Sequence, residues 1–235
     1  MRIRTFIALF FLGLGFTNHL KSWEVRSDTT LYAGFWGGLS YARIIGNDGN
    51  NKPLFAFNNG ILVYYRPKWE FGFRTGINYI QKGFVHELEY FTTSGRSAGF
   101  YDTNYRFDYL NLPFNFNYNL SKGKYNVYMS IGIDLDFLMA HKIYSNSVPE
   151  NFDNEIIIKT VYSGTDIYKK ISFGFNYSFG MEYNLKKNFI IFSDIKFMHG
   201  TTDNYKAQNH IYFMKHRPTL INIGIRIGIP IKYTI

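Results

Sequence analysis

The stretch that decides the fold is "SFGFNYSFGMEYNL", residues 172–185. Phe173, Phe175, Tyr177, Phe179, Met181 and Tyr183 occupy alternate positions, with Ser172, Gly174, Asn176, Ser178, Gly180, Glu182 and Asn184 between them. A period of two is that of a β-strand, whose successive side chains point to opposite faces. The wet face of a soluble strand usually carries Lys, Glu, Thr and Arg. Here one face is large and aromatic and the other is small and polar. That pairing suits a strand whose aromatic face meets lipid and whose small face lines a narrow interior.

The same alternation recurs at Leu31–Tyr41, Asn58–Tyr65, Phe71–Gln81, Phe107–Leu120, Tyr125–Ala140, Phe189–Gly200 and Pro218–Tyr233. Eight strands result, mostly of ten or more residues, the length that crosses a bilayer at a tilt. Globular strands are nearer five or six residues. The connections alternate as well. "RPKW" (66–69), "SKGK" (121–124) and "KKN" (186–188) are tight turns, whereas residues 42–57, 82–106, 141–169 and 201–217 are long. Three short turns and four long loops fit an all-β, eight-stranded antiparallel transmembrane β-barrel with short periplasmic turns and long extracellular loops. A soluble barrel of lipocalin type would place the apolar faces inside and the Ser/Gly/Asn faces in water. The scarcity of charge on either face of many strands argues against it.

The rest of the composition agrees. Aromatics make up 20% of the 235 residues, and the mean hydropathy is slightly negative. The one long apolar run, Phe6–Phe16, is too short for a membrane-spanning helix. It follows the basic start "MRIR", so residues 1–22 read as a secretory signal peptide and 23–235 as the barrel domain. Cysteine is absent, which excludes disulfides, thiolate metal sites and cysteine catalysis. The net charge of +9 falls to +6 when Arg2, Arg4 and Lys21 leave with the signal peptide (9 − 3 = 6). In an exported protein such an excess is expected to meet lipid phosphate rather than nucleic acid.

"YLNLPFNFNYNL" (109–120), "VYMSIGIDLDFLM" (127–139) and "FGMEYNL" (179–185) resemble the PorT-like outer-membrane β-barrel family of the Bacteroidetes lineage. The order of long and short connections is similar over residues 31–235. The resemblance implies an outer-membrane location without implying one activity, since one founding member serves a protein secretion apparatus. The C-terminal "GIPIKYTI" departs from the terminal aromatic of many such barrels: either Tyr233 stands in, or the last strand stops at Ile229 or Ile231.

Parity places Arg74, Asp134, Asp136, Glu182, Asp194, Lys196 and Arg226 in the lumen, with Trp36, Tyr64, Tyr128 and Leu138 adding bulk. Three positive and four negative charges in a narrow space must pair. They form either a plug that fills the barrel or a gate for small ions. "EYFTTSGRSAGFYDTNYRF" (89–107) mixes aromatics, Arg and small polar residues, the composition of binding surfaces. Tyr90, Phe91, Arg96, Phe100, Tyr101 and Tyr105 are its candidate contacts.

Three other patterns carry less. Gly95–Gly99 spells G-x-S-x-G, yet that motif works at a strand-to-helix turn, and this chain reads as β-only with the motif in a loop. His86, His141, His199, His210 and His216 fall at the outer ends of strands or in outer loops, without helical metal spacing. Converging there, they would suit an outer-leaflet lipid-modifying enzyme. "GNDGNNK" (46–52) has calcium-loop residue types without the spacing.

The expectation is a monomeric, non-enzymatic barrel without cofactor or catalytic residues. It would be integral to the bacterial outer membrane and structural, or bind an extracellular or envelope protein through its loops. An accessory role in a secretion or envelope machine, a lipid-modifying enzyme and a narrow gated pore are the alternatives.

Overall fold

The computed structural model describes residues 30–45, 51–67, 70–121, 123–145, 149, 151–153, 155–156, 168–186, 188–201 and 215–230. The signal peptide, most of "GNDGNNK", His210 and Tyr233 lie outside the described residues. Eight long strands form a closed ring: β1 (Thr30–Ala42), β2 (Lys52–Arg66), β3 (Phe71–Phe91), β4 (Ser97–Asn119), β5 (Tyr125–Tyr144), β6 (Ile171–Lys186), β7 (Phe189–Gly200) and β8 (Thr219–Pro230). Each pairs antiparallel with its chain neighbours, and β8 closes on β1 from Thr30↔Pro230 to Tyr41↔Thr219. Closure leaves the barrel no unpaired edge within the membrane.

The alternation of the sequence becomes two faces. In β6, Phe173, Phe175, Phe179 and Met181 are exposed, while Ser172, Asn176, Ser178 and Glu182 are buried. In β8, Ile221, Ile223 and Ile227 are exposed and Asn222 and Arg226 are buried. The normal order of a globular protein is inverted, and the apolar atoms face outward because lipid is their solvent. Glycines let the inner face carry large side chains: a Cβ on Gly180 would lie 2.4 Å from the Tyr128 ring, and one on Gly224 2.6 Å from Phe192.

The strands depart from the sequence periodicity in three places. Residues 82–106 are not a long loop. β3 and β4 continue in register from Gln81↔Asp108 to Tyr90↔Gly99, a tall hairpin whose turn is 92–96. Residues 52–57 also belong to a strand, β2, with a register shift between Pro53 and Asn58. Finally, the register jumps from Tyr109↔Leu138 to Asp108↔Ala140, so Met139 is an extra residue in β5. That bulge reverses parity beyond it and turns His141 inward.

Candidate functional site

The lumen holds a layered polar network. Arg74 Nη1 donates to Asp194 Oδ2 at 2.8 Å, from β3 across to β7. The same carboxylate accepts from Tyr128 Oη at 2.8 Å and from Asn222 Nδ2 at 2.7 Å. Arg226 Nη2 donates to Glu182 Oε1 at 2.6 Å. Lys196 Nζ donates to Asp134 Oδ1 at 2.8 Å, and Asn176 to Asp134 Oδ2 at 2.8 Å. Asn111 Nδ2 bridges Asp136 at 2.8 Å and Asp134 at 3.2 Å. All seven charged residues assigned to the interior by parity are thus buried there, each in an ion pair.

Two members escape the sequence reading. Arg66 sits beside the first short turn, and its Nη2 donates to Glu182 Oε2 at 2.8 Å. Lys82 falls in a stretch that reads as loop, and its Nζ lies 2.5 Å from Asp136 Oδ2. Among the described residues, five cations therefore face four carboxylates in these pairs. Rings hold the extra positive charge. The Arg226 guanidinium lies 4.5 Å from the Phe192 centroid and 4.8 Å from that of Tyr64, close enough for cation–π attraction. Tyr64, Tyr128 and Leu138 are buried, and Trp36 packs half-buried against the cluster that holds Tyr64 and Phe192. A cavity of about 20 Å³ lies among Trp36, Arg74, Asn78, Phe192, Asp194 and Lys196, room for a water molecule.

At the long-loop end, Phe84, Phe107, Tyr109, Leu138 and Tyr168 cap the lumen. His141 stacks on Phe107 at 4.4 Å, and His216 meets Phe107 edge-on at 4.9 Å. His86 instead reaches Asn51 at 3.0 Å, and His199 stacks on Tyr177 at 5.6 Å on the outer face. Two of the outer histidines converge, therefore, inside an aromatic cap. Among the described residues, no three His, Asp or Glu side chains group to hold a metal ion.

The six candidate contacts of 89–107 lie on the β3–β4 hairpin, not on a loop, and divide between its faces. Phe91 and Phe100 are exposed on the outward face. Tyr90, Tyr101 and Tyr105 are half-buried on the other, where Tyr90 bonds Thr103 at 2.8 Å and Tyr105 stacks on Phe84 at 4.6 Å. Arg96 at the turn reaches Asp153 at 3.2 Å. The glycines of G-x-S-x-G serve this geometry: Gly95 (φ 83°) closes the turn with its N–H on Thr92 O, and Gly99 (φ 105°) follows the bulge at Ala98. No strand-to-helix elbow exists at this point.

A closed antiparallel ring with a lipid-compatible exterior and a filled polar interior defines an integral outer-membrane barrel. The chain belongs to the outer membrane protein beta-barrel domain family, whose sequence pattern matches residues 15–206. Among solved structures it is similar to Neisserial surface protein A, at 10% identity over 84% of this chain and 96% of that one, with a TM-score of 0.50. It is also similar to a major outer membrane protein of Thermus thermophilus, at 11% identity over 85% and 99%, with a TM-score of 0.49. OprG from Pseudomonas aeruginosa matches at 11% identity over 87% and 97%, with a TM-score of 0.46. At such identities a likeness concerns the fold alone. No curated protein matches the sequence.

Proposed function

We propose that this protein is a non-enzymatic surface barrel that binds a protein partner through its extracellular hairpin. The observation that carries the reading is the hairpin itself. β2 pairs with β3 only as far as Lys52↔Val85, and β5 with β4 only as far as Asn104↔Tyr144. Residues 86–91 and 97–103 therefore run about 20 Å past the last pairing with the flanking long strands; among the described residues they are met there by Ser145, which donates to Asp102 O at 2.6 Å, and by Asp153 at the tip, and by no other long strand. Exposed Phe91 and Phe100 lie on one face. Open strand edges beside exposed aromatics are what an extended partner segment pairs with. The plugged lumen favours this role over conduction. The resemblance to PorT-like barrels suggests one kind of partner, a component of a secretion or envelope machine.

The test is cross-linking on intact cells, followed by affinity capture of the barrel. Variants F91S/F100S and a hairpin cut back to Val85 and Asn104 should lose the protein that the parent captures, while still showing heat-modifiable migration as folded barrels. Capture of the same partner by the shortened variant would exclude the hairpin as the binding element.

A further inference from the structure

On the outer face of the barrel, at its extracellular rim, two arginines stand directly opposite one another. The β1–β8 register runs to Tyr41↔Thr219 and resumes in the short ladder Ile44↔His216, Ile45↔Lys215. Between these pairs Arg217 N donates to Arg43 O at 2.8 Å, so Arg43 and Arg217 are cross-strand partners. Their parity is that of Tyr41 and Thr219, so both side chains are on the lipid-facing side. His199 continues the row: Phe197 pairs with Thr219, and His199 is two residues further along β7. Its imidazole feels the charges of both arginines.

Like charges directly opposite in a sheet repel. Neither arginine has a carboxylate partner among the described residues, and Arg217 Nε is buried without a hydrogen bond. Elsewhere on the same rim the chain handles an arginine differently: Arg106 is matched by Asp108 at 3.2 Å. The height of the Arg43–Arg217 pair suggests what stands between them. The outward residues of β1 run from Leu31 to Tyr41, which at a strand tilt of roughly 40° spans about 25 Å, the thickness of the apolar band. Tyr41 and Phe55 meet edge-on at 5.3 Å at its upper limit, as an aromatic girdle does. The arginines stand one outward position further, about 5 Å higher, at headgroup level.

We infer that Arg43 and Arg217, flanked by His199, form a binding site for the phosphate of an anionic lipid in the outer leaflet. The guanidiniums supply charge-assisted donors to the phosphate oxygens, and the anion between them removes their mutual repulsion. Tyr41 and Phe55 below pack against the acyl chains of the same lipid. This site does not depend on the hairpin's partner.

The test uses the full barrel in phosphatidylcholine nanodiscs carrying a small fraction of bis-phosphorylated lipid A or its dephosphorylated form. Native mass spectrometry counts the lipid retained on the released protein. The parent should keep the phosphorylated form and not the other. R43Q/R217Q should retain it at least about tenfold less, R43K/R217K should keep most of it, and R106Q should match the parent. Inorganic phosphate at the lipid's concentration should not displace it. Equal retention of both lipids, or undiminished retention by R43Q/R217Q in a barrel that still shows heat-modifiable migration, would overturn the site. Displacement by inorganic phosphate would overturn the lipid assignment.

Discussion

Replacing Glu182 with Gln tests the lumen network at its most buried point. The Glu182 side chain is 0% exposed and accepts from two guanidiniums, Arg226 at 2.6 Å and Arg66 at 2.8 Å. Removing one partner of a buried ion pair costs about 3–5 kcal/mol, because the other charge is left uncompensated. Arg226 is 0% exposed and takes that cost in full, whereas Arg66 keeps 12% contact with solvent. The amide oxygen of Gln still accepts one hydrogen bond, returning about 1 kcal/mol. The net expectation is about 3 kcal/mol, roughly a hundredfold in the folding equilibrium. Adding R226M removes the stranded charge and leaves a thioether among the rings of Tyr64, Tyr128 and Phe192, which Met fills readily. E182Q/R226M should therefore recover about 2 kcal/mol of the loss. Urea unfolding in phospholipid vesicles, followed by tryptophan fluorescence, measures both. An E182Q barrel within about 0.5 kcal/mol of the parent, or a double variant no more stable than the single, would show that water rather than Glu182 balances the arginines.

Gly180→Ala drives a Cβ to 2.4 Å from the Tyr128 ring, so Tyr128 must shift and lose its bond to Asp194; a loss of about 1–3 kcal/mol is expected in the same titration. F91S/F100S alters only exposed side chains and should leave stability within about 0.5 kcal/mol of the parent; a larger drop would mean that the hairpin supports the barrel. His216 is buried outside the barrel strands, where burial and the charges of Lys82 and His141 push its pKa well below the ordinary value. The unfolded chain then takes up a proton near pH 6.5 that the folded chain refuses. This contribution to stability is complete above about pH 6.5 and declines as the pH falls below it. Thermal unfolding at a series of pH values should show that slope, and H216F should flatten it.

The barrel is legible in the sequence because lipid imposes a strict rule. Within the membrane every second residue must be apolar, so β6 and β8 can be read by parity, and Asp134, Asp136, Asp194 and Arg226 with them. Above the membrane the rule lapses. "KGFVHELEYF" (82–91) has aromatic and polar residues on both faces, so the alternation of β3 reads as ending at Gln81 and Lys82 passes for a loop residue. Arg66 reads as part of a turn because Pro67 follows it. The extra Met139 gives no local signal, and only the pairing with β4 shows that His141 turns inward. Arg43 and Arg217 lie 174 positions apart (217 − 43 = 174), and nothing in either local sequence announces that they are neighbours. Their register follows from closure of the last strand on the first.

The barrel is filled with paired side chains, and the work proposed for it is at its surface. Eight strands leave an interior just wide enough for side chains, and five cations locked to four carboxylates occupy it. The most direct measurement is the current through the purified protein in a planar lipid bilayer. The expected record is flat, with brief openings appearing only when Arg74 and Arg226 are neutralised together. Large, stable conductance steps from the parent protein would contradict it.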